Sequence, residues 1–321
     1  MRFLLLLVTP LLLAAQPSIA LVEKVAGKVG FYDSTGRRIA EVKVGTYPHE
    51  IVPSLDGRTL YVSNNGILWM ENPGEGGNTI AIIDRQTRAK LGDIDLGNNH
   101  RPHGMAVQPT TGLLVMTTEN PHGLVLVDPV AKKVLRRFDV HGEGPHMVLF
   151  DRTGEWAFVS NATTNNVAAI RLATGETIVI PTGKRPQGGV LSPDGRTIFI
   201  TNSNENTISL IDPAQRKVIG EIKTGDGPNR VTITPDGKTL VYSLSRANAA
   251  AFADVATRKE LRQIPLGSRP LSLVMSRDGR WAFSGIQDKD LVRVIDVAQR
   301  QIVKTIDTPK DAGPDSVFPL E

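Results

Sequence analysis

The sequence predicts an all-β protein: one seven-bladed β-propeller of four-stranded antiparallel blades, closed by a blade shared between the two ends of the chain. Three observations predict it. An eleven-residue phrase, fullest as SPDGRTIFITN at 192–202, recurs at 54–64, 109–119, 151–161, 234–244 and 276–286. A proline opens each unit, at Pro48, Pro102, Pro145, Pro186, Pro228 and Pro270, and these lie 41 to 54 residues apart, the period of a propeller blade. The fragments left over at the two ends complement one another as parts of a further unit. Units of this kind bury their faces only against neighbours, so the 321 residues form one closed array rather than two or three domains.

In chain order, residues 1–20 are a different kind of sequence: Arg2, an apolar run FLLLLVTPLLLAA, and the small-residue site Ser18-Ile19-Ala20. This pattern is that of a secretory signal peptide, with a retained anchor as the lesser reading, and it places the mature chain in a bacterial periplasm or the medium. No later stretch is long and apolar enough to span a bilayer. The propeller is assigned to 21–321, with the shared blade made by 21–45 and 313–321. Within it KVGFYDS at 28–34 and RRIAEVKVG at 37–45 match third and fourth strands, and GPDSVFPL at 313–320 matches an opening proline and first strand. We number the six complete units blades 1 to 6 and the split one blade 7.

Each complete unit reads as four strands. The first runs from the proline to a D-G or T-G turn, whose glycine (57, 112, 154, 195, 237 or 279) supplies the positive φ of a tight hairpin. The second is the β-branched and aromatic T-L-Y-V-S-N type of run. The third follows I-x-I-I-D, as at 80–84, 208–212 and 292–296, and its terminal Asp84, Asp128, Asp212 and Asp296 are expected to accept backbone hydrogen bonds at the bottom turns. The fourth is a V-x-x-x-I segment leading to the next proline. Pro53 and Pro319 fall inside first strands, which suits an innermost strand with one unpaired edge.

Composition excludes several functions. There is no cysteine, so covalent c-type haem, thiolate metal sites, a cysteine nucleophile and disulfide staples are all absent. Without Arg2 the chain has 36 basic and 33 acidic side chains, and the basic ones are scattered, a poor nucleic-acid signal. No serine triad or dinucleotide fingerprint is present.

The G-x-x-P … P-D-G-x-x-x-Y-V-x-N … N-x-x-x-x-I-D pattern resembles the YVTN-repeat family of exported bacterial β-propellers over essentially all of 28–321. That resemblance implies the propeller fold and export. Family relatives include surface-layer-like proteins, binding modules and propellers associated with redox enzymes. GPHM at 144–147 is in part similar to the strand opening of seven-bladed lactonase propellers.

All six histidines map to one end, here the top, where fourth-to-first and second-to-third loops meet. The position after each opening proline reads His49, His103, His146, Gln187, Asn229, Leu271 and Asp315 around the ring. Neighbouring positions are expected about 8–12 Å apart by Cα. Three imidazoles could converge on one Zn, Cu or Ni ion, with a water in the fourth place. Glu119, aligned by the repeat with Asn64, Asn161 and Asn202, is the candidate general base or fourth ligand. Glu50 is expected to turn away from the channel, because strand side chains alternate. His122 lies in the second-to-third loop of blade 2, and His100 and His141 lie in connecting loops. The second-to-third loop of blade 1 is enlarged, NNGILWMENPGEGGN at 64–78, and its Ile67, Leu68, Trp69 and Met70 are too apolar for a purely solvated loop. It reads either as a lid with glycine hinges or as a loop packed on its neighbouring blade. Arg101, Arg185, Arg230 and Arg269 belong to the same end and favour an anionic ligand, a carboxylate or phosphate.

Three functions stay open on these residues. One is a propeller binding a small-molecule or protein ligand, or a metal, at the top face. Another is a metal-dependent hydrolase or lactonase-like enzyme using the three histidines, and the third is a structural component.

Overall fold

A computed structural model describes residues 18–321, so nearly all of the expected leader lies outside the described residues. Among the described residues are 28 strands and one short 3-10 turn, Gln287–Lys289, arranged as seven four-stranded antiparallel sheets. First strands of neighbouring sheets touch around a common axis, Pro48–Pro53 against His100–Val107 and so on to Pro314–Pro319 against Pro48–Pro53. They are therefore the innermost strands, which is where Pro53 and Pro319 cost no ladder bond. No helix of the described residues is long and apolar enough to cross a membrane.

Strand alternation builds the core. Seven apolar clusters lie one at each interface between neighbouring blades. In blade 7, Ile19 and Leu21 face Trp281 and Phe283 of blade 6, whereas Ala20 and Val22 face Leu60 and Val62 of blade 1. A period of two sends successive side chains to opposite sheet faces, and both faces of every blade are covered.

Blade 7 closes the ring in the order Pro314–Pro319, Ile19–Glu23, Lys28–Tyr32, Arg38–Lys43. The third, fourth and first strands are those expected. The second strand starts two residues before the expected boundary at 21: Ile19 pairs with Tyr32 on one side and Pro319 on the other, and Ile19 and Ala20 are fully buried. The all-apolar appearance of this segment hid a doubly covered strand inside what reads as the end of a leader.

The glycines of the six D-G or T-G turns all have φ between 69° and 76°. The aspartates ending third strands take the backbone bonds expected of them, for example Thr87 N donating to Asp84 Oδ1 (2.6 Å) and Ala214 N to Asp212 Oδ1 (2.8 Å).

Two local irregularities position the site. In blades 1 to 5 the ladder between first and second strands slips just after the opening proline: Pro48 pairs with Asn64 but Ile51 with Val62. Three steps on one strand oppose two on the other, a β-bulge. A hydroxyl on the second strand satisfies the bulge. Ser63 Oγ accepts from Glu50 N (2.9 Å) and donates to His103 O of the next blade (3.2 Å). Thr117 Oγ1 accepts from Gly104 N (2.8 Å) and donates to His146 O (2.7 Å). Thr201 Oγ1 accepts from Gly188 N (3.1 Å) and donates to Asn229 O (2.6 Å). The Ser or Thr of the repeat thus ties the bulges of blades 1, 2 and 4 to the next blade, whereas Ser160 of blade 3 has no such partner.

Because of the bulge, both residues after the proline face the axis. Glu50 does not turn away: it reaches across the channel to Arg230 of blade 5, Arg230 Nη2 lying 2.5 Å from Glu50 Oε1, and accepts from Ser316 Oγ at 3.1 Å. Simple alternation fails where the ladder slips.

The second irregularity is confined to blade 2. In the other five complete blades the turn glycine N–H bonds the carbonyl three residues earlier; Gly112 bonds Gln108, four earlier. The following strand is consequently shifted by one residue. Thr118, not Glu119, stands opposite the opening proline, where Asn64, Asn161 and Asn202 stand in blades 1, 3 and 4. The repeat alignment of Glu119 with these asparagines is corrected accordingly.

Candidate functional site

The seven ring positions meet at the channel mouth. His49, His103, His146, Gln187, Asn229, Leu271 and Asp315 all line one chamber of about 90 Å³, together with Lys24, Asn65, Arg185, Arg230 and Arg269. The enlarged loop of blade 1 is its roof, contributing Ile67, Leu68, Trp69, Met70 and Glu71. Gly66 and Gly77 cross at the neck of this loop so closely that a Cβ on Gly66, which also has φ 78°, would strike the Gly77 backbone. Four side chains hold the roof down. Arg101 Nη2 donates to Met70 O (2.7 Å), Arg185 Nη2 to Glu71 Oε1 (2.7 Å), and Arg269 (5.2 Å) and Lys24 (5.7 Å from the ring centroid) lie against Trp69.

The three ring histidines pack ring to ring in sequence, tilted by 40° and 49°, with centroids 3.8 Å apart for His49 and His103 and 4.3 Å for His103 and His146. His103 Nδ1 is 2.5 Å from Glu119 Oε1, and Arg101 Nη2 is 2.8 Å from Glu119 Oε2. Glu119 therefore stands behind His103 and orients it; its Oε1 is taken by His103, its Oε2 faces Arg101 without a hydrogen bond, and it does not line the chamber. The one-residue slip in blade 2 is what puts it there. His49 Nδ1 and Glu50 Oε1 are 3.5 Å apart, and His49 Nε2 and Asp315 Oδ2 3.8 Å, without hydrogen-bond alignment. Lys24 Nζ is 3.1 Å from Asp315 Oδ2, a pair between the two chain ends with only 3% of either side chain exposed.

Several buried polar atoms here have no partner: His49 Nδ1, His103 Nε2, His146 Nδ1, Gln187 Nε2, Asn229 Oδ1 and Arg230 Nη1. Of the other expected residues, Arg101 is spent on Glu119 and the roof. His122 is exposed at a strand start outside the chamber, its carbonyl accepting from Arg137. Asn64 and Asn202 bond within their own blades, as in Asn202 Nδ2 to Thr207 Oγ1 (3.0 Å), and Asn161 Nδ2 bonds Asn166 of its blade and Val140 O of the segment before it. Lys24 carries no sequence signal of a site residue, because the strand preceding it, Ile19–Glu23, straddles the boundary expected between leader and blade. Among the described residues, no group of three His, Cys, Asp or Glu side chains stands in metal-holding geometry.

Burial first, and then the neighbouring His49, Lys24, Arg230 and Arg101, holds the His103 imidazole well below 6.5; burial, and then His103 and Arg230, do the same for His146. Both stay neutral in the folded protein, whereas in the unfolded chain they titrate near 6.5. Below that pH the unfolded state binds protons that the folded state refuses, so stability falls as the pH drops, by about 1.4 kcal/mol per pH unit for each group. Urea denaturation between pH 5 and 7 is expected to show a shallower fall for His146→Gln than for the wild type. That comparison separates the imidazole from Glu119 and Glu23, whose carboxyls are pushed up by burial and act in the opposite sense. Parallel pH profiles would refute a buried neutral His146.

With the geometry in place, comparison with known proteins decides the family. A family model described as YNCE-like beta-propeller matches residues 150–312, half of the chain. The chain belongs to that family. This YNCE-like propeller is also similar to solved structures at low identity. Hydrazine synthase of Kuenenia stuttgartiensis has a TM-score of 0.70 at 20% identity, covering 84% of this chain and 88% of that one. A functionally unknown protein from Desulfotomaculum acetoxidans DSM 771 has a TM-score of 0.78 at 13% identity, covering 94% and 98%. Dihydro-heme d1 dehydrogenase NirN in complex with DHE has a TM-score of 0.70 at 16% identity, covering 95% and 76%. These likenesses show the fold. A search of curated proteins gave no match.

Proposed function

We propose that this YNCE-like propeller is exported and binds a small ligand in the roofed chamber at its channel mouth. The unpaired polar atoms of His49, His103, His146, Gln187, Asn229 and Arg230 support this reading. A buried donor or acceptor without a partner costs about 1–3 kcal/mol, and six around one cavity are too many for a mere plug of the channel. A ligand or ordered water supplies the missing partners. The leader-like residues 1–20 support export.

A thermal-shift screen of small metabolites tests the reading. Ligands that raise the Tm of the wild type are expected to leave a Gln187→Trp variant, whose indole fills the chamber, unshifted. Equal shifts in both proteins would place the binding elsewhere.

One observation favours a second reading, a metal-dependent hydrolase or lactonase-like enzyme. His103 gives Nδ1 to a carboxylate and keeps Nε2 bare, the usual support of a metal-ligating imidazole. A Zn, Cu or Ni ion held by His49, His103 and His146 would supply a Lewis acid for a carbonyl and an acidified water. The chain's own contribution would be to orient His103 through Glu119 and to exclude bulk water with the roof. Near-stoichiometric metal in the purified protein, lost in His103→Ala, is the result this reading requires.

A further inference from the structure

The chamber's lining carries an excess of positive charge and several unpaired donors, beside the unpaired acceptors Asn229 Oδ1 and His103 Nε2. Four cations line it, Lys24, Arg185, Arg230 and Arg269, against two carboxylates, Glu71 and Asp315. Both carboxylates are already engaged, Asp315 by Lys24 and Glu71 by Arg185. Arg230 holds Glu50, which lies below the chamber, through Nη2, and its Nη1 is unpaired although only 8% of the residue is exposed. Gln187, 7% exposed, likewise has an unpaired Nε2 donor. Arg269 lies over Trp69 rather than against a carboxylate. Every imidazole carries at least one N–H; that of His103 is given to Glu119, so of the three rings His49 and His146 can present a further donor. No free carboxylate faces the space.

We infer that the chamber is an anion site: it takes a small ligand bearing carboxylate or phosphoryl oxygens, held by Arg230 Nη1, Gln187 Nε2 and the imidazoles of His49 and His146 beneath Trp69 and Arg269. The inference rests on the ligand-binding reading above and names the ligand's chemistry. An oxyanion accepts from every unpaired donor at once, and charge-assisted bonds of this kind are the strong ones. The same cations penalise a metal dication, which they repel at close range. The space under the closed roof, about 90 Å³, suits a compact anion. Glu71 on Arg185 shows how a carboxylate is received at the rim, at 2.7 Å.

Calorimetric titration of the purified protein with malonate, inorganic phosphate, the neutral isostere malonamide and zinc chloride tests it. Malonate or phosphate is expected to bind one to one, and malonamide not. Tighter malonate marks a carboxylate ligand and tighter phosphate a phosphoryl one; either supports the site. Arg269→Gln and Gln187→Met are both expected to fold, the first being exposed and the second removing an unpaired amide. Each should weaken the anion roughly tenfold, and added salt should weaken it further. Malonamide binding as well as malonate, or both variants binding like the wild type, overturns the anion chemistry and leaves the chamber a ligand site of another class. Zinc binding that His103→Ala abolishes, with no anion bound, overturns it in favour of the metal. If no probe binds, the anion inference falls, and the Gln187→Trp thermal-shift comparison decides separately whether any small ligand enters.

Discussion

Removal of residues 314–321 is expected to unfold the protein rather than trim it. The segment contains the inner strand of blade 7, which pairs with Ile19–Glu23, and Leu320 N donates to Ser18 O beyond it. Its loss exposes one edge of the Ile19–Glu23 strand and opens the ring between blades 6 and 1. It also removes Asp315 from Lys24, leaving a buried ammonium without its counter-charge, a cost of about 3–5 kcal/mol by itself. Added to the lost burial of Val317 and the lost ladder, this approaches the whole stability of a typical domain, about 5–15 kcal/mol. Circular dichroism melting and gel filtration check it: the truncated chain should show no cooperative transition or should aggregate. A truncated protein melting within a few degrees of the intact one would mean that the shared blade does not close the ring.

Breaking the ion pair across the channel has the second largest expected effect. Glu50 and Arg230 belong to blades 1 and 5, 180 residues apart, and both side chains are about nine-tenths buried. Burial would push the Glu50 carboxyl up, but Arg230, with help from His49, outweighs it and holds it below its ordinary 4.5. Arg230→Leu leaves a buried carboxylate and Glu50→Leu a buried guanidinium, each destabilising by about 3–5 kcal/mol. For a protein of this size that lowers Tm by on the order of 10 °C. The double variant Glu50→Leu/Arg230→Met removes both charges and should regain most of the loss. Simple additivity of the two single effects would show that the charges do not depend on one another.

Much of the fold was legible because a propeller repeats its instructions. The D-G glycines, the third-strand aspartates and the opening prolines fall where the repeat put them. The complementary fragments 28–45 and 313–320 disclosed the shared blade. The ring position after the proline identified seven residues that do meet in one chamber. What was not legible lies where one blade departs from its neighbours. Glu119 shares a place in the repeat with Asn64, but the Gly112 turn closes one residue earlier on the chain and moves Glu119 behind His103. Glu50 looked outward under strict alternation until the bulge after Pro48 turned it inward. Lys24 was invisible as a site residue because its strand begins inside a leader-like run.

By itself, then, the sequence determined the number of blades, the closure and the ring of side chains at the channel mouth, since these follow from local patterns copied along the chain. Tertiary structure alone decided that three of six histidines pack ring to ring, that the long loop roofs the chamber, and that Arg230 answers Glu50 from across the axis. Those contacts join segments far apart in the chain, 43 residues for His103 and His146, 180 for Glu50 and Arg230 and 266 for Glu50 and Ser316, and their geometry depends on one-residue slips in hydrogen-bond register. Such slips leave the pattern of residue types nearly unchanged while redirecting the side chains that carry charge.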